Sequence, residues 1–422
     1  MERKSLLKRI GPAFIVGACI IGPGSVTLMT RTGAKYQYQM LWLSLLAGVL
    51  MAGHLGLFMR FGIYSDETFL AVVRRRAGRW FSVLCGVALF SVTAAFQFGN
   101  CLGVTAGMEA LFGSTLQWVW PVAFTTAAIV FMFAFKRMYA IIEKLMMLFL
   151  LLMLAAFVIN LAMAKHDAGA ILRGALIPSL PKVPDATVMF VTLGGLVATT
   201  FSIVAALFQA YSAKAKGWKE ADLRSGIADT VLASVIFTLI GTVIMMTAAA
   251  NLYPHKGAVS VTTMIQQLEE GFGPGARLVF AVGFWAAAFS SFVTNSLIGG
   301  VLLNDGLGLG GRIDSTSTKV CATVALLVGL ATSLMIISGD SGGIGSGLKV
   351  QAIAIGQACT MLAVPLGAVA TIIVLFDSKA VKGRGLGVFG KAFVLFGAVV
   401  LLGVAALMVV HLGRTFGLLS SG

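Results

Sequence analysis

Long apolar runs separated by short polar or charged segments cover most of the 422-residue chain. A helix needs about 20 apolar residues to cross the hydrocarbon core of a bilayer, and eleven runs reach about that length. The predicted spans cover approximately residues 11–33, 39–61, 80–107, 117–135, 140–163, 187–211, 227–250, 278–303, 319–338, 348–375 and 390–411. This pattern predicts an all-α polytopic membrane protein embedded in a lipid bilayer.

The first predicted span is interrupted at its centre by Gly22-Pro23-Gly24-Ser25. Proline has no N–H and clashes with the preceding turn, and glycine leaves the helical conformation readily. We therefore expect this helix to unwind midway through the bilayer, where the freed peptide groups must be buried in protein or line a polar cavity. A simple proline kink is the alternative, and this motif alone does not decide between the two.

The sixth span carries a second interruption, Thr192-Leu193-Gly194-Gly195 followed by Ala198-Thr199-Thr200-Phe201-Ser202. Close helix packing is the alternative explanation for these small residues. Five spans separate the two breaks, and the broken helices run in opposite directions. That spacing predicts an inverted repeat of five plus five helices with a solute site at the repeat interface. We expect one transporter domain over residues 1–422, with repeats at about 11–163 and 187–375 and an extra helix at about 390–411.

Composition and charge agree with a membrane protein. The chain is 58% hydrophobic and 11% charged, and its mean hydropathy is +0.96. The net charge of +15 does not indicate nucleic-acid binding, because the basic residues cluster between the spans. A cytoplasmic N-terminus places 22 of the 31 Lys and Arg residues inside, which follows the positive-inside rule. The sequence therefore predicts a multi-pass protein of the plasma membrane (the bacterial inner membrane), with its C-terminus outside.

Several stretches resemble the NRAMP family, whose members have the LeuT-type fold. The resemblance is most specific in the first span and the entrance to the second. It rests on Gly11-Pro12-Ala13-Phe14, the Gly22-Pro23-Gly24-Ser25 break, Gly33-Ala34-Lys35-Tyr36, Leu41-Trp42, the stretch 103–113, and Gly356-Gln357 with Pro365. It implies a LeuT-type five-plus-five inverted repeat of about eleven transmembrane helices, with helices 1 and 6 broken at mid-membrane.

The positions that carry chemistry in that family differ here. The family's first break reads Asp-Pro-Gly-Asn, and its Asp and Asn bind a divalent transition metal; the matching residues are Gly22 and Ser25. The family's Met-Pro-His-Asn in the sixth span aligns with Phe201-Ser202-Ile203-Val204. Two acidic residues of the family's proton path align with Gln97 and Asn100. Of the polar ligands, only the tenth-span glutamine has a match, as Gln357.

This departure favours an anion as substrate. Transition metals and Mg²⁺ prefer carboxylate, imidazole or thioether ligands, and we predict no metal ion here. The two breaks aim helix N-termini at the cavity, and such termini attract anions. The predicted solute site comprises Gly22, Pro23, Gly24, Ser25, Ala198, Thr199, Thr200, Phe201, Ser202 and Gln357. Lys349, about two turns outward from Gln357, is predicted to draw anions into an outer vestibule, the alternative being an ordinary interfacial lysine.

The leading hypothesis is a secondary-type transporter of a small inorganic anion working by alternating access. Similarity to the NRAMP-related bicarbonate transporters, which lack the metal ligands, implies bicarbonate. A divalent-metal carrier that uses carbonyl groups and Gln357 is one alternative, and a non-transporting sensor is another. An enzyme is not indicated, because the four histidines are scattered and no nucleophile or cofactor motif is present. Coupling to sodium, coupling to protons and uncoupled flow stay open alternatives.

Overall fold

The computed structural model describes residues 12–113, 116–134, 166–181, 186–254, 273–339 and 363–415, together with scattered positions from 144 to 162 and residue 269. Every regular element within these ranges is helical. The first seven helices with described bounds are α1 (Pro12–Ile20), α2 (Pro23–Tyr36), α3 (Leu41–Tyr64), α4 (Phe69–Ala77), α5 (Arg79–Phe112), α6 (Val119–Ala134) and α7 (Ala168–Leu176). The next seven are α8 (Ala186–Thr200), α9 (Ile203–Ala215), α10 (Leu223–Leu252), α11 (Pro274–Gly306), α12 (Thr316–Gly339), α13 (Val364–Leu375) and α14 (Val388–Thr415).

The predicted multi-pass helical architecture is confirmed. Seven helical segments of the described chain are long and apolar enough to cross a membrane, with α8 and α9 counted as one segment. The helices α6 and α13 are shorter and apolar. The fifth predicted span is described only at scattered positions, and the tenth only from residue 363 onward. Gln357 and Lys349 therefore lie outside the described residues.

Both expected helix breaks are present. Ile21 and Gly22 separate α1 from α2, and Gly22 has an extended backbone (φ −120°, ψ −176°) with Pro23 in the first turn of α2. Phe201 and Ser202 separate α8 from α9. The second break has no proline. Instead, the Ser202 side chain caps α9 by accepting a hydrogen bond from the amide of Ala205 at 3.4 Å.

Glycines allow other helices to approach the first break closely. A Cβ atom on Gly103 of α5 would lie 2.2 Å from Cγ of Pro23, and one on Gly33 of α2 would lie 2.2 Å from the carbonyl oxygen of Met245 in α10. Real Cβ atoms do not approach this closely, so both contacts require glycine. Small residues let helix backbones meet in membrane proteins. Gly103 therefore brings α5 against the break, and Gly33 brings α10 against α2 about three turns farther along the helix.

The short helix α4 differs in detail from its prediction. The sequence predicts an amphipathic helix over 66–76 with Ser65 as its N-cap, whereas α4 covers Phe69–Ala77 and follows Thr68. Ser65 instead ends α3, and its hydroxyl oxygen accepts a hydrogen bond from the amide of Glu67. Sequence alone misplaces the cap because the carboxylate that supplies it comes from another helix.

That carboxylate is Asp305, at the end of α11. Its Oδ2 accepts hydrogen bonds from the amide of Leu70 at 3.0 Å and from the hydroxyl of Tyr211 at 2.6 Å, and its Oδ1 accepts one from Thr68 at 2.7 Å. A negative charge at a helix N-terminus is favourable because the helix dipole is positive there. Asp305 thus ties α4, α9 and α11 together at one end of the bundle.

A second acidic residue, Asp377, secures the other end of α4. The side chain of Asp377 is only 2% exposed, and its Oδ2 accepts hydrogen bonds from Arg76 Nε at 2.7 Å and Arg75 Nη2 at 3.0 Å. These guanidinium groups, Arg76 foremost, hold the pKa of the Asp377 carboxyl well below its usual range. The two arginines lie in the last turn of α4, where cations also interact favourably with the helix dipole.

Candidate functional site

The two helix breaks meet at one small cavity. Its volume is about 10 Å³, which is room for about one water molecule. Four structural units surround it: the α1–α2 break, the α8–α9 break, α5 and α11. The lining residues are Cys19, Ile20, Gly22, Gly24, Ser25, Phe96, Asn100, Thr199, Ser202, Ser291 and Asn295. A polyatomic solute needs more space, so binding requires these helices to move apart.

The amino ends of two helices point into this cavity. Pro23 has no N–H, and the amides of Gly24 and Ser25 lie in the first turn of α2, where no acceptor exists within the helix. The amides of Ile203 and Val204 hold the same position in α9. Helix N-termini carry a partial positive charge of roughly half an elementary unit. The site therefore places unpaired N–H donors of two helix amino ends beside the carboxyl ends of α1 and α8.

No acidic side chain is among the described residues that line the cavity. The buried Asp229 accepts a hydrogen bond from the amide of Ala13 at 3.0 Å and so caps the start of α1, about 10 Å along the helix from Ile20. Asp305 lies about 21 Å along α11 from Ser291. Both carboxylates offset the partial positive charge of other helices, at the starts of α1 and α4. Neither offsets the partial positive charge at the amino ends of α2 and α9.

Hydroxyl groups cover the carboxyl end of α1. Ser25 Oγ donates a hydrogen bond to the carbonyl oxygen of Ile20, and Ser291 Oγ donates one to that of Cys19 at 3.1 Å. The Thr199 hydroxyl donates to the carbonyl oxygen of Gly195 at 2.9 Å. These protons are engaged with the main chain. By contrast, the bond from Ala205 to Ser202 uses only the Ser202 oxygen, which leaves its proton for other acceptors.

A ring of three hydrogen bonds joins α1 to α11. The Cys19 thiol donates to Asn295 Oδ1 at 3.0 Å, the Asn295 amide nitrogen donates to Ser291 Oγ at 2.8 Å, and Ser291 Oγ donates to the Cys19 carbonyl. All three residues are buried. The ring fixes Ser291 beside the unwound segment. A Cβ atom on Gly22 would lie 2.6 Å from Ser291 Oγ, so any larger residue at position 22 must displace this side chain.

The structure brings some of the predicted site residues to the cavity and leaves others beside it. Gly22, Gly24, Ser25, Thr199, Ser202 and Asn100 line it. Ala198, Thr200 and Phe201 are buried but do not line it, and Phe201 instead packs against His54 with ring centroids 4.7 Å apart. Pro23 packs on Gly103, and Gln97 is buried behind Asn100.

Sequence reasoning misses the contribution of α11. Ser291 and Asn295 belong to a polar run, Ser290, Ser291, Thr294, Asn295 and Ser296, inside an otherwise apolar span. All five side chains are buried. Such a run deep in a membrane helix is a signal that could have identified this wall of the cavity.

The lining residues fit a transition metal poorly. Within the described part of the chain, no group of three or more His, Cys, Asp and Glu residues could hold a metal ion. The cavity contributes one thiol, that of Cys19, and its proton is donated to Asn295. Neutral amides, hydroxyls and peptide groups are weak ligands for Mn²⁺ or Fe²⁺ compared with carboxylate and imidazole.

Two broken helices that meet at a polar cavity inside a multi-span helical bundle define a membrane transporter. A family model described as natural resistance-associated macrophage protein-like (Nramp) matches residues 13–411. The chain belongs to the Nramp family. It is 27% identical over 307 residues to a divalent metal cation transporter MntH of Yersinia pestis (strain Pestoides F), covering 71% of this chain and 73% of the relative. A relative of the same name from Yersinia enterocolitica is 26% identical over 344 residues, covering 80% of this chain and 83% of that one.

Solved structures establish the same fold. A mutant of the manganese transporter from Eremococcus coleocola superposes with a TM-score of 0.83 at 16% identity, covering 100% of this chain and 91% of that one. MhsT in complex with L-phenylalanine superposes with a TM-score of 0.62 at 17% identity, covering 94% and 98%. At these identities the likeness concerns the fold alone, and the predicted LeuT-type architecture is confirmed.

Proposed function

We propose that this Nramp-family protein transports a small inorganic anion, with bicarbonate favoured, through the cavity between the α1–α2 and α8–α9 breaks. The observation that carries the proposal is the meeting of two helix amino ends where no described lining residue is acidic. Helix N-termini with unpaired N–H groups bind anions. Gly24, Ser25, Ser202 and the amides of α9 would contact the anion directly.

Arg31 supports the same proposal. It lies on α2 on the same face as Gly24, about 10 Å farther along the helix, and is half-buried. Among the described residues it forms no ion pair. Lys35 follows one turn later on that face and borders a cleft of about 450 Å³. We propose that the path to the cavity follows this face of α2, where two cations in series would raise the local concentration of anions. The predicted role of Lys349 remains part of this proposal.

Divalent-metal transport is the second candidate, because the relatives that match this chain are named divalent metal cation transporters. The shared name of these relatives favours the metal alternative, whereas the hydrogen-bond donors of the cavity favour an anion. Gln357 belongs to both hypotheses. Further details that we propose are a single transporter domain with repeats at about 11–163 and 187–375 and a cytoplasmic N-terminus. Coupling to sodium, coupling to protons and uncoupled flow stay open alternatives.

A flux assay with the purified full-length chain in liposomes tests the proposal. Uptake of radiolabelled bicarbonate is compared with Mn²⁺ uptake, reported by quenching of an enclosed dye, each with and without imposed sodium and proton gradients. We expect saturable bicarbonate uptake above that of empty liposomes, and Mn²⁺ uptake at the background level. Robust Mn²⁺ uptake without anion flux would overturn the proposal in favour of the metal alternative. Absence of both fluxes would favour the sensor.

A further inference from the structure

We propose that Asn100 is a specificity-determining residue that accepts a hydrogen bond from the transported anion, so that the site selects oxyanions carrying their own O–H group. This inference rests on the proposed anion transport and narrows its substrate class. Asn100 lies on α5, is 2% exposed and lines the cavity beside the first break. Its role follows from the direction in which its amide group is held.

A fixed chain of hydrogen bonds determines that direction. The carbonyl oxygen of Phe292 in α11 can only accept, so the Gln97 Nε2 group, 2.7 Å away, must be the donor. Gln97 Oε1 therefore faces Asn100 and accepts a hydrogen bond from Asn100 Nδ2 at 3.0 Å. Reversing the Asn100 amide would place two carbonyl-type oxygens against each other. The backbone of Phe292 thus orients both amides, and Asn100 Oδ1 is directed away from Gln97.

The environment of Gln97 makes this chain rigid. Gln97 is fully buried, and α12 presses on it so closely that a Cβ atom on Gly329 would lie 2.5 Å from the Gln97 Cβ. Gln97 cannot easily take another position while Gly329 is against it. It is a positioning residue that acts through Asn100.

Asn100 Oδ1 consequently faces the unwound segment as an acceptor. It lies 3.3 Å from the place that a Cβ atom on Gly22 would occupy. The amides of Gly24 and Ser25, which are donors, belong to the same cavity. The site therefore presents hydrogen-bond donors on one side and a buried acceptor on another.

Only some anions match such a mixed site. Bicarbonate has two oxygens that share the negative charge and accept hydrogen bonds, and a third oxygen that carries a proton to donate. Nitrate has the same charge and planar shape but no proton, and chloride has none either. With either ion bound, Asn100 Oδ1 would be desolvated and would face a negative charge without a hydrogen bond. Sites built to hydrogen-bond a substrate hydroxyl strongly reject analogues that lack it.

The test measures nitrate against bicarbonate in proteoliposomes of the full-length chain. For the unmodified protein we expect half-inhibition of labelled bicarbonate uptake to need at least a tenfold higher concentration of nitrate than of unlabelled bicarbonate. The variant Asn100→Leu, nearly isosteric and without an acceptor, should lower that ratio by at least tenfold. The variant Gln97→Met keeps Asn100 but frees its amide to rotate, and should lower the ratio by a smaller factor. A residue with a merely structural role would change total flux and leave the ratio unchanged.

The outcomes separate this inference from the proposed function. Equal inhibition by nitrate and bicarbonate in the unmodified protein would overturn the selectivity inference and leave anion transport standing. An unchanged ratio in Asn100→Leu would overturn the role of Asn100. If that variant does not fold, as judged by size-exclusion chromatography, an unchanged ratio in Gln97→Met overturns it instead. Mn²⁺ uptake with no anion flux in the unmodified protein would refute the proposed function itself.

Discussion

Placing one negative charge at the first break provides the sharpest test of anion transport. In Ser25→Asp a carboxylate would stand in the first turn of α2, at the cavity wall. The helix amino end would favour the ionised form of that carboxylate, since a negative charge there is stabilised by about 0.3–1 kcal/mol. The matched control is Ser25→Asn, which has nearly the same size and no charge. Comparing the two variants isolates charge from the lost hydrogen bond to Ile20.

The expected effect is large because the charges would be close and partly desolvated. Two unit charges about 4 Å apart interact by about 4 kcal/mol at an effective dielectric constant near 20. At about 1.4 kcal/mol for each factor of ten, this corresponds to about a thousandfold loss of anion affinity. The screening of the helix dipole by the new carboxylate would add to the loss.

The measurement is the concentration dependence of bicarbonate uptake in proteoliposomes of the two variants and the unmodified chain. We expect Ser25→Asn to transport bicarbonate within about tenfold of the unmodified protein, since one neutral hydrogen bond contributes about 1 kcal/mol. Ser25→Asp should show almost none. Equal bicarbonate transport by the two variants would refute the electrostatic reasoning, because the two side chains have nearly the same size and only the aspartate is charged.

Three further predictions concern other parts of the chain. Arg31→Gln should reduce bicarbonate uptake at low salt. The difference from the unmodified protein should shrink at high ionic strength, because salt screens the electrostatic attraction between Arg31 and the anion. A salt-independent difference would contradict this role. Gly22→Asp should destabilise the protein in a thermal-unfolding assay, because the new Cβ atom would collide with Ser291. Adding Ser291→Gly to the same chain should restore part of the stability. Absence of that rescue would contradict the packing argument. Asp377→Asn should lower stability by about 2 kcal/mol near pH 7, because it removes charge-assisted hydrogen bonds from Arg76. The lowered pKa of Asp377 stabilises the fold above its unfolded value of about 3.9, so the difference between the proteins should begin to shrink as pH falls below about 4 and vanish only below the lowered pKa of the folded protein. A difference that does not shrink in acid would contradict it.

The sequence determined the features of this protein that depend on local properties of the chain. Span length follows from apolar run length, and the first break follows from a proline between two glycines. The sequence predicts the second break within the stretch from Thr192 to Ser202, and the structure places it at Phe201 and Ser202. These predictions succeed because helix formation and membrane insertion respond to neighbouring residues.

The tertiary structure alone decided which polar groups meet and which protons are free. Ser291 and Asn295 form hydrogen bonds with Cys19 although more than 270 sequence positions separate them from it. No local sequence pattern predicts that contact. The sequence predicts Ser25 and Thr199 in the solute site, yet packing commits their hydroxyl protons to main-chain carbonyl groups. Hydrogen-bond partners and the direction of a buried amide are set by several helices at once, because each group must find its partner where water is excluded.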